Sequence, residues 1–211
     1  MTDNHSKNSN PPIDSGDAAW VSVTTTLPVE QVRQICSDIE VIMRLNPYYF
    51  FESWQQQGDS YEVKFRNQSN NQEIQQNFTV YRDANELEVV YENSIKNKTV
   101  FRIERSNNGT QLTIIDDYSH LSAQEREQRS HEADKSLQAW GESIYTYFER
   151  LTKWSWIPGW RSYMRRVWIP MKPSARRVVW FLYLITLAEF AFFLLILAIW
   201  VAEQARGPAG V

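Results

Sequence analysis

The sequence predicts an α+β domain, in which a long helix covers an antiparallel sheet, followed by one membrane-spanning helix. Three observations predict this arrangement. Apolar and polar residues alternate repeatedly between residues 53 and 120, an amphipathic stripe with helical spacing then extends to Leu151, and an apolar run extends from Val178 to Ala202. A period of two is typical of strands, whereas apolar residues three and four apart are typical of one helix face.

The length of 211 residues favours one compact domain with appended segments. The net charge of −3 hides two regions of opposite sign. Residues 1–150 hold 14 Lys and Arg against 23 Asp and Glu, whereas residues 151–211 hold 8 against 2. Because nucleic acids are bound through clustered basic residues, the acidic larger region argues against a nucleic-acid partner.

The first ordered element is predicted near residue 20. Residues 1–18 are polar and aperiodic and include two prolines, so we interpret them as a disordered leader. Trp20 to Leu27 is rich in β-branched residues and predicts a strand. Pro28 suits the first turn of a helix, and apolar residues at helical spacing predict that this helix ends before Asn46-Pro47.

Six alternating segments follow, and turn sequences such as Gly58-Asp59 and Asn107-Asn108-Gly109 separate them. Alternating segments bounded by turn residues predict hairpins, so we expect an antiparallel meander. The predicted strands are Ser53–Gln57, Tyr61–Arg66, Glu73–Arg82, Glu86–Glu92, Lys98–Arg105 and Gln111–Ser119.

A long amphipathic helix is predicted after the strands. Ser122 and Glu125 have the spacing of a capping box, which marks a helix N-terminus. The helix then presents one apolar stripe that is expected to cover the sheet. Its members are Ala133, Leu137, Trp140, Ile144, Tyr147 or Phe148, and Leu151.

This order of elements, with the segment Ile35 to Asp38 that leads to Asn46-Pro47 and the helical segment Ala139 to Ile144, resembles the START-like, or SRPBCC, superfamily. That superfamily includes polyketide cyclase-like and coenzyme Q-binding proteins. The resemblance covers residues 20 to 151. It implies a helix-grip fold, in which the sheet curls around the long helix and leaves a cavity for an apolar ligand.

Candidate ligand-binding residues follow from strand alternation and from the stripe of the long helix. If Glu and Lys point outward, the opposite faces form an aromatic and aliphatic wall between sheet and helix. The alternative is that the same side chains fill an ordinary core. The candidates for ligand contact are Phe65, Phe78, Tyr91, Phe101, Ile114, Asp116, Trp140, Ile144 and Phe148.

Asp116 has two interpretations. Its parity places it on the inward face, where a carboxylate can orient a polar headgroup or act as an acid or base. Alternatively, it lies near the strand end, exposed or bonded to a neighbouring turn. The three histidines lack metal-ligand spacing, and the chain has neither a Gly-rich phosphate loop nor a nucleophile elbow. We therefore expect no metal and no cofactor, and we assign no catalytic residue.

The apolar run Val178 to Ala202 predicts a transmembrane helix. At a rise of 1.5 Å per residue it extends about 37 Å, which exceeds the roughly 30 Å hydrocarbon core of a bilayer. Seven basic residues and no acidic residue lie between residues 153 and 177, whereas Arg206 alone follows the run. The positive-inside rule therefore predicts a cytoplasmic N-terminal domain, and a single cysteine, Cys36, agrees with a reducing compartment.

The basic segment before the apolar run is also rich in Trp, which prefers the membrane interface. The alternative is a linker whose tryptophans dock onto the domain. The residues expected at the cytoplasmic surface of the bilayer are Trp154, Trp156, Trp160, Arg165, Arg166 and Trp168.

Glu189 is the one charged residue within the apolar run. Together with a stripe of alanines, it predicts a transmembrane helix partner, either a second copy or a larger membrane complex. The alternative is a protonated Glu189 that bonds locally to Thr186.

These features divide the chain into a leader (1–18), a START-like domain (19–152), a basic Trp-rich juxtamembrane segment (153–177), a transmembrane helix (178–202) and a short tail (203–211). The first hypothesis is a non-enzymatic, single-pass membrane protein that binds or presents a lipid or isoprenoid quinone. One alternative is a polyketide cyclase/dehydrase-like enzyme with Asp116 or Tyr91 as acid or base. The other is an assembly or adaptor subunit of a membrane complex.

Overall fold

A computed structural model describes residues 18–120, 122, 124–125, 135–171 and 173–205. These residues fall into two compact units, one ending at Ile169 and the other beginning at Pro170. The boundary lies within the segment 153–177 that the sequence predicted as juxtamembrane. The predicted α+β helix-grip architecture is confirmed.

The first unit is built on a seven-stranded antiparallel sheet with the order β1-β7-β6-β5-β4-β3-β2. Strands β2 to β7 form a meander, and β1 closes the far edge beside β7. The strands are β1 (Ala18–Thr25), β2 (Tyr49–Gln57), β3 (Ser60–Asn67), β4 (Gln72–Arg82), β5 (Glu86–Tyr91), β6 (Lys98–Ser106) and β7 (Gly109–Asp117).

The predicted meander is confirmed, with most strand ends within two residues of their predicted positions. In β3 every second residue is buried, so Tyr61, Val63 and Phe65 face the interior as the alternation predicted. The exception is β2, which begins at Tyr49 and therefore four residues before the predicted strand.

The helix predicted between Pro28 and Asn46 is wrong in one respect, because it is two helices: α1 (Val29–Ser37) and α2 (Ile39–Arg44). Asp38 separates them, and its side chain accepts a hydrogen bond from the backbone N–H of Val41. Aspartate is a favoured N-cap because its carboxylate satisfies a free N–H of the first turn. The cap therefore starts a new helix there. Cys36, at the end of α1, is buried, and desolvation raises the pKa of its thiol to about 12.

The long helix over the sheet is α3 (Leu137–Trp154). The predicted capping box is present, since the Ser122 hydroxyl and Glu125 are hydrogen-bonded to each other. The prediction of one continuous helix from Ser122 is nevertheless wrong, because residues 135 and 136 are not helical. Asn46 donates a 2.6 Å hydrogen bond to the hydroxyl of buried Ser136, which holds the chain just before α3 begins. Ala133, the first predicted member of the stripe, lies outside the described residues.

Two contacts fix α3 against the rest of the domain. Trp140 donates from its indole nitrogen to the carbonyl of Ile42, at 2.9 Å. Gly141 faces β1 so closely that an added Cβ would lie 2.6 Å from Cγ2 of Val21. The helix thus lies in close contact with β1, and glycine is the residue that permits this distance.

A short segment after α3 returns to the domain. It consists of α4 (Trp160–Tyr163) and one π-helical turn (Met164–Trp168). Met164 and Ile169 are buried in the core, and Arg165 forms a 2.6 Å ion pair with Asp38.

The second unit contains α5 (Pro173–Ala205), a helix of 33 residues. Its large apolar side chains from Val178 to Val201 are exposed, except for the half-buried Val179. Within the described residues, Ala175–Gln204 is the one helical segment that is long and apolar enough to cross a membrane, and its most apolar 18-residue stretch has a mean hydropathy of 2.5.

Candidate functional site

A cavity of about 60 Å³ lies inside the first unit, on the concave side of the sheet between β2, β3, β4 and the turn that joins β5 to β6. Its wall is mostly aromatic and aliphatic, with a few polar side chains. The lining residues are Met43, Tyr49, Phe51, Trp54, Val63, Phe65, Asn67, Ile74, Gln76, Phe78, Tyr91, Ser94, Ile95 and Lys96.

The aromatic part of the wall is a continuous cluster of rings. Phe51 and Phe65 lie with their ring centroids 5.1 Å apart, and Trp54 contacts Phe78 edge-on at 6.0 Å. Phe78 in turn contacts Tyr91 edge-on at the same distance. Edge-on and tilted pairs at these distances are favourable because the ring edge is positive and the ring face negative.

A β-bulge in β2 supplies two of these rings. The register with β3 shifts between Phe51 and Ser53, so Phe51 lies opposite Phe65 and Trp54 lies opposite Val63. In a regular strand, side chains three positions apart point to opposite faces. The extra residue therefore turns both Phe51 and Trp54 inward, although their spacing argues against it.

A cation on α2 packs against both of these rings. The guanidinium carbon of Arg44 lies 5.0 Å from the ring centroid of Phe51 and 5.9 Å from that of Trp54. Arg44 is itself held by a 2.7 Å ion pair with Glu40, one turn earlier on α2. Cation–π contacts of this kind stabilise the ring positions, so α2 fixes the two aromatic side chains of the edge strand.

A buried polar network adjoins the cavity wall. The ammonium of Lys96 lies 2.7 Å from Oδ2 of Asp116, and Thr99 donates a 2.6 Å hydrogen bond to Oδ1. The Tyr91 hydroxyl lies 3.0 Å from the Thr99 hydroxyl. Because the single proton of Thr99 goes to the carboxylate, Tyr91 is the donor in that contact. The result is a relay from the cavity residue Tyr91 to a carboxylate that is 0% exposed.

The turn that carries Lys96 is fixed at both ends. The Gln76 amide donates to the carbonyl of Glu92, and Asn97 donates to the carboxylate of Asp117 at 3.2 Å. Burial alone raises the pKa of Asp117, but hydrogen bonds from Ser119 and Asn97 and the charge of Lys98 outweigh it and lower that pKa. The ionised form of Asp117 therefore holds the end of the turn.

The predicted ligand residues divide into three groups. Phe65, Phe78 and Tyr91 line the cavity. Asp116 does not line it, but its partner Lys96 does, and Asp116 is inward, buried and bonded to the neighbouring turn. The remaining candidates, which are almost completely buried in the packed core, are Phe101, Ile114, Trp140, Ile144 and Phe148.

Several lining residues were missed by the sequence interpretation. Tyr49, Phe51 and Trp54 were missed because β2 starts early and contains a bulge. Gln76 has the inward parity of the predicted strand Glu73–Arg82, and Asn67 continues the inward parity of Tyr61–Arg66 by one residue, but neither was among the candidates. Lys96 lies in a turn, where alternation gives no signal. For Asn67 and Gln76, parity alone would have been a sufficient signal.

The residues expected at the membrane interface have different environments. Trp154 and Trp156 are exposed, at 47% and 77%, and Arg166 is exposed as well. Trp160 and Trp168 pack against the core of the first unit, as the docking alternative describes. Arg165 is bonded to Asp38. Contact of these residues with a bilayer stays a prediction, as does a helix partner for Glu189, whose side chain is exposed.

Among the described residues, no three His, Cys, Asp or Glu side chains lie close enough together to hold a metal ion. Asp116 and Lys96 pair with each other in the interior. The polar chemistry that adjoins the cavity is therefore an ion pair with hydroxyl groups.

The sheet and α3 define a helix-grip domain of the α+β class. No protein-family model matches the chain, and no curated protein matches it. Similar solved structures include protein Ms6760 from Mycobacterium smegmatis, with 12% identity and a TM-score of 0.47 over 63% of this chain and 90% of that chain. They also include protein TTHA0849 from Thermus thermophilus, with 13% identity and a TM-score of 0.46 over 67% and 99%.

An AHSA1-like protein from Aeromonas hydrophila is also similar, with 12% identity and a TM-score of 0.40 over 62% of this chain and 93% of that chain.

Proposed function

We propose that this protein is a single-pass membrane protein whose helix-grip domain binds an apolar small molecule in the cavity behind β2. The observation that carries the proposal is the composition of the cavity wall. Ten of the lining side chains are apolar or aromatic, from Met43 on α2 to Ile95 in the β5–β6 turn. Small-molecule sites typically combine such a wall with a few polar groups that orient the ligand.

The ligand enters by displacing side chains of β2. A volume of about 60 Å³ is much smaller than the roughly 300–1,000 Å³ of typical ligand sites. The barrier to enlargement is low on this side, because β2 is an edge strand, is bulged, and leaves Tyr49, Phe51 and Trp54 only partly buried. Movement of one edge strand breaks fewer contacts than movement of a central one.

The anchor in this proposal is α5. Its most apolar 18-residue stretch has a mean hydropathy of 2.5, and its exposed apolar side chains suit a lipid environment. The basic residues that precede it favour the cytoplasmic side for the domain. An anchored domain also suits an apolar ligand, because such a molecule partitions into the bilayer and not into water.

The test of ligand binding is mass spectrometry of apolar molecules that co-purify with the full chain in mild detergent. Val63→Phe adds bulk to the cavity wall on β3. The control Val90→Phe makes the same change on β5, on the face of the sheet that points away from the cavity. We expect a stoichiometric apolar molecule in the wild type and in Val90→Phe, and its loss in Val63→Phe. No bound molecule in any of the three proteins, or equal amounts in all of them, would contradict the proposal.

The test of anchoring is flotation with vesicles of phosphatidylcholine and phosphatidylglycerol after an alkaline wash. We expect the full chain to float and a chain that ends at Ile169, the end of the first unit, to stay in the soluble fraction. If the shortened chain floats equally well, the Trp-rich segment and not α5 holds the protein on the membrane.

If the full chain co-purifies with a stoichiometric protein subunit in place of a small molecule, the adaptor alternative is supported.

A further inference from the structure

We infer that the ligand carries an uncharged oxygen acceptor, such as a ketone, quinone or ester carbonyl, which accepts a hydrogen bond from Lys96. The inference rests on the proposed function and specifies its ligand class. Lys96 is the one charged residue among the described residues that line the cavity. Its side chain is only 8% exposed, so it belongs to the interior wall.

The charge of the wall selects among ligand heads. Lys96 pairs with Asp116 at 2.7 Å, and Asp116 is 0% exposed, so the pair has no net charge and little access to water. A carboxylate ligand would place a second negative charge beside one ammonium, and a cationic ligand would place a second positive charge beside it. Burying an uncompensated charge is costly, whereas an uncharged oxygen leaves the balance of the pair intact.

Neighbouring groups hold Lys96 in place to serve as a donor. Thr99 binds the other oxygen of Asp116 at 2.6 Å, and Tyr91 donates to Thr99. The backbone of the turn is fixed by hydrogen bonds between Lys96 N–H and the Ser94 hydroxyl and between Asn97 and Asp117. A ligand oxygen would join or exchange with the present acceptors of the ammonium. Hydrogen bonds to a charged donor are about twice as strong as neutral ones, so a single such contact discriminates between ligands.

The experiment compares three probes of equal chain length: octane, 2-octanone and octanoate at pH 8. The full chain in mild detergent is incubated with all three, and native mass spectrometry gives their relative occupancy. The variant Lys96→Met/Asp116→Leu removes both charges at once, so neither is left buried alone. The control Arg102→Met/Glu86→Leu removes both charges of a part-exposed cross-strand pair that does not line the cavity.

We expect the ratio of bound 2-octanone to bound octane to fall roughly tenfold or more in Lys96→Met/Asp116→Leu and to stay unchanged in Arg102→Met/Glu86→Leu. In the wild type, octanoate is expected to bind less than 2-octanone. If the ratio is the same in all three proteins, or if octanoate displaces 2-octanone, the inference is wrong. Binding of octane would in that case still support the proposed function.

If none of the probes binds the wild type, the proposed function fails and the inference fails with it. Near-UV circular dichroism establishes whether Lys96→Met/Asp116→Leu folds. Should it not fold, the wild-type ranking of 2-octanone and octanoate decides the inference by itself.

Discussion

The two ends of the domain interior are closed in different ways. At the β1 end, α3 lies so close to the sheet that a Cβ at position 141 would lie 2.6 Å from a methyl group of Val21, and Phe101, Trp140 and Phe148 are almost completely buried. At the β2 end, partly buried aromatic side chains pack on one another and leave a cavity. The comparison shows that the interior is closely packed where a helix glycine contacts a side chain of the sheet directly, whereas the packing of rings from an edge strand leaves a cavity.

The largest expected effect on stability is the difference between alanine substitutions of two tryptophans, one at each end. Trp140→Ala should lower the free energy of unfolding by about 3–5 kcal/mol, because it removes a fully buried ring and the hydrogen bond to Ile42. Trp54→Ala should cost less than about 2 kcal/mol, because that ring is half-buried and borders a void. Urea unfolding of the full chain in detergent, followed by far-UV circular dichroism, measures both. Equal losses would mean that the two ends are packed alike.

The next effect compares two valines that receive the same added bulk. Val89 is 0% exposed and does not line the cavity, whereas Val63 does line it. Val89→Phe should cost about 1–3 kcal/mol through overpacking, and Val63→Phe should cost clearly less because the cavity accepts part of the ring. The measurement is the melting temperature of each full-length variant. A larger loss for Val63→Phe would argue against usable space behind β2.

A smaller effect is expected at the contact between α3 and β1. Gly141→Ala places a methyl group 2.6 Å from Val21, but alanine also favours the helix by about 1 kcal/mol, so the net loss should be roughly 1–2 kcal/mol. The double variant Val21→Ala/Gly141→Ala relieves the clash. If the second substitution does not recover part of the melting temperature lost by Gly141→Ala, the close contact is not the reason for glycine.

The smallest effect concerns acid stability at the turn beside the cavity. The pKa of Asp117 is lowered in the folded state from a reference of 3.8, so its ionised form stabilises the fold above that value. This contribution is lost as pH falls through the lower folded-state pKa. Asp117→Asn should therefore reduce the loss of melting temperature between pH 4 and pH 2. Identical slopes for both proteins would show that Asp117 does not hold the turn.

Strand alternation predicted most of the domain because burial on one face repeats every two residues. This is why Phe65, Phe78 and Tyr91 were placed on the inward face correctly. The same rule fails at β2, where the bulge changes the parity between Phe51 and Trp54. Bulges depend on the pairing partner and leave no pattern in a single strand.

The polar part of the site was harder to predict for a different reason. Asp116 was noticed because it interrupts an apolar alternation, but its partner Lys96 is brought to it by a turn 20 residues away from the carboxylate in the chain. Likewise, the helix breaks before Ile39 and Leu137 depend on side-chain hydrogen bonds of Asp38 and of Asn46 with Ser136. Such contacts are decided by tertiary structure and not by local periodicity.

Cys36 has a practical consequence for experiments on this protein. A thiol reacts as its thiolate, and with a pKa of about 12 and full burial Cys36 is almost entirely protonated near neutral pH. It is also the one cysteine of the chain. A second cysteine introduced at an exposed position, such as Tyr81 or Trp156, would therefore take up a maleimide dye or spin label selectively, while the native thiol keeps its place in the core.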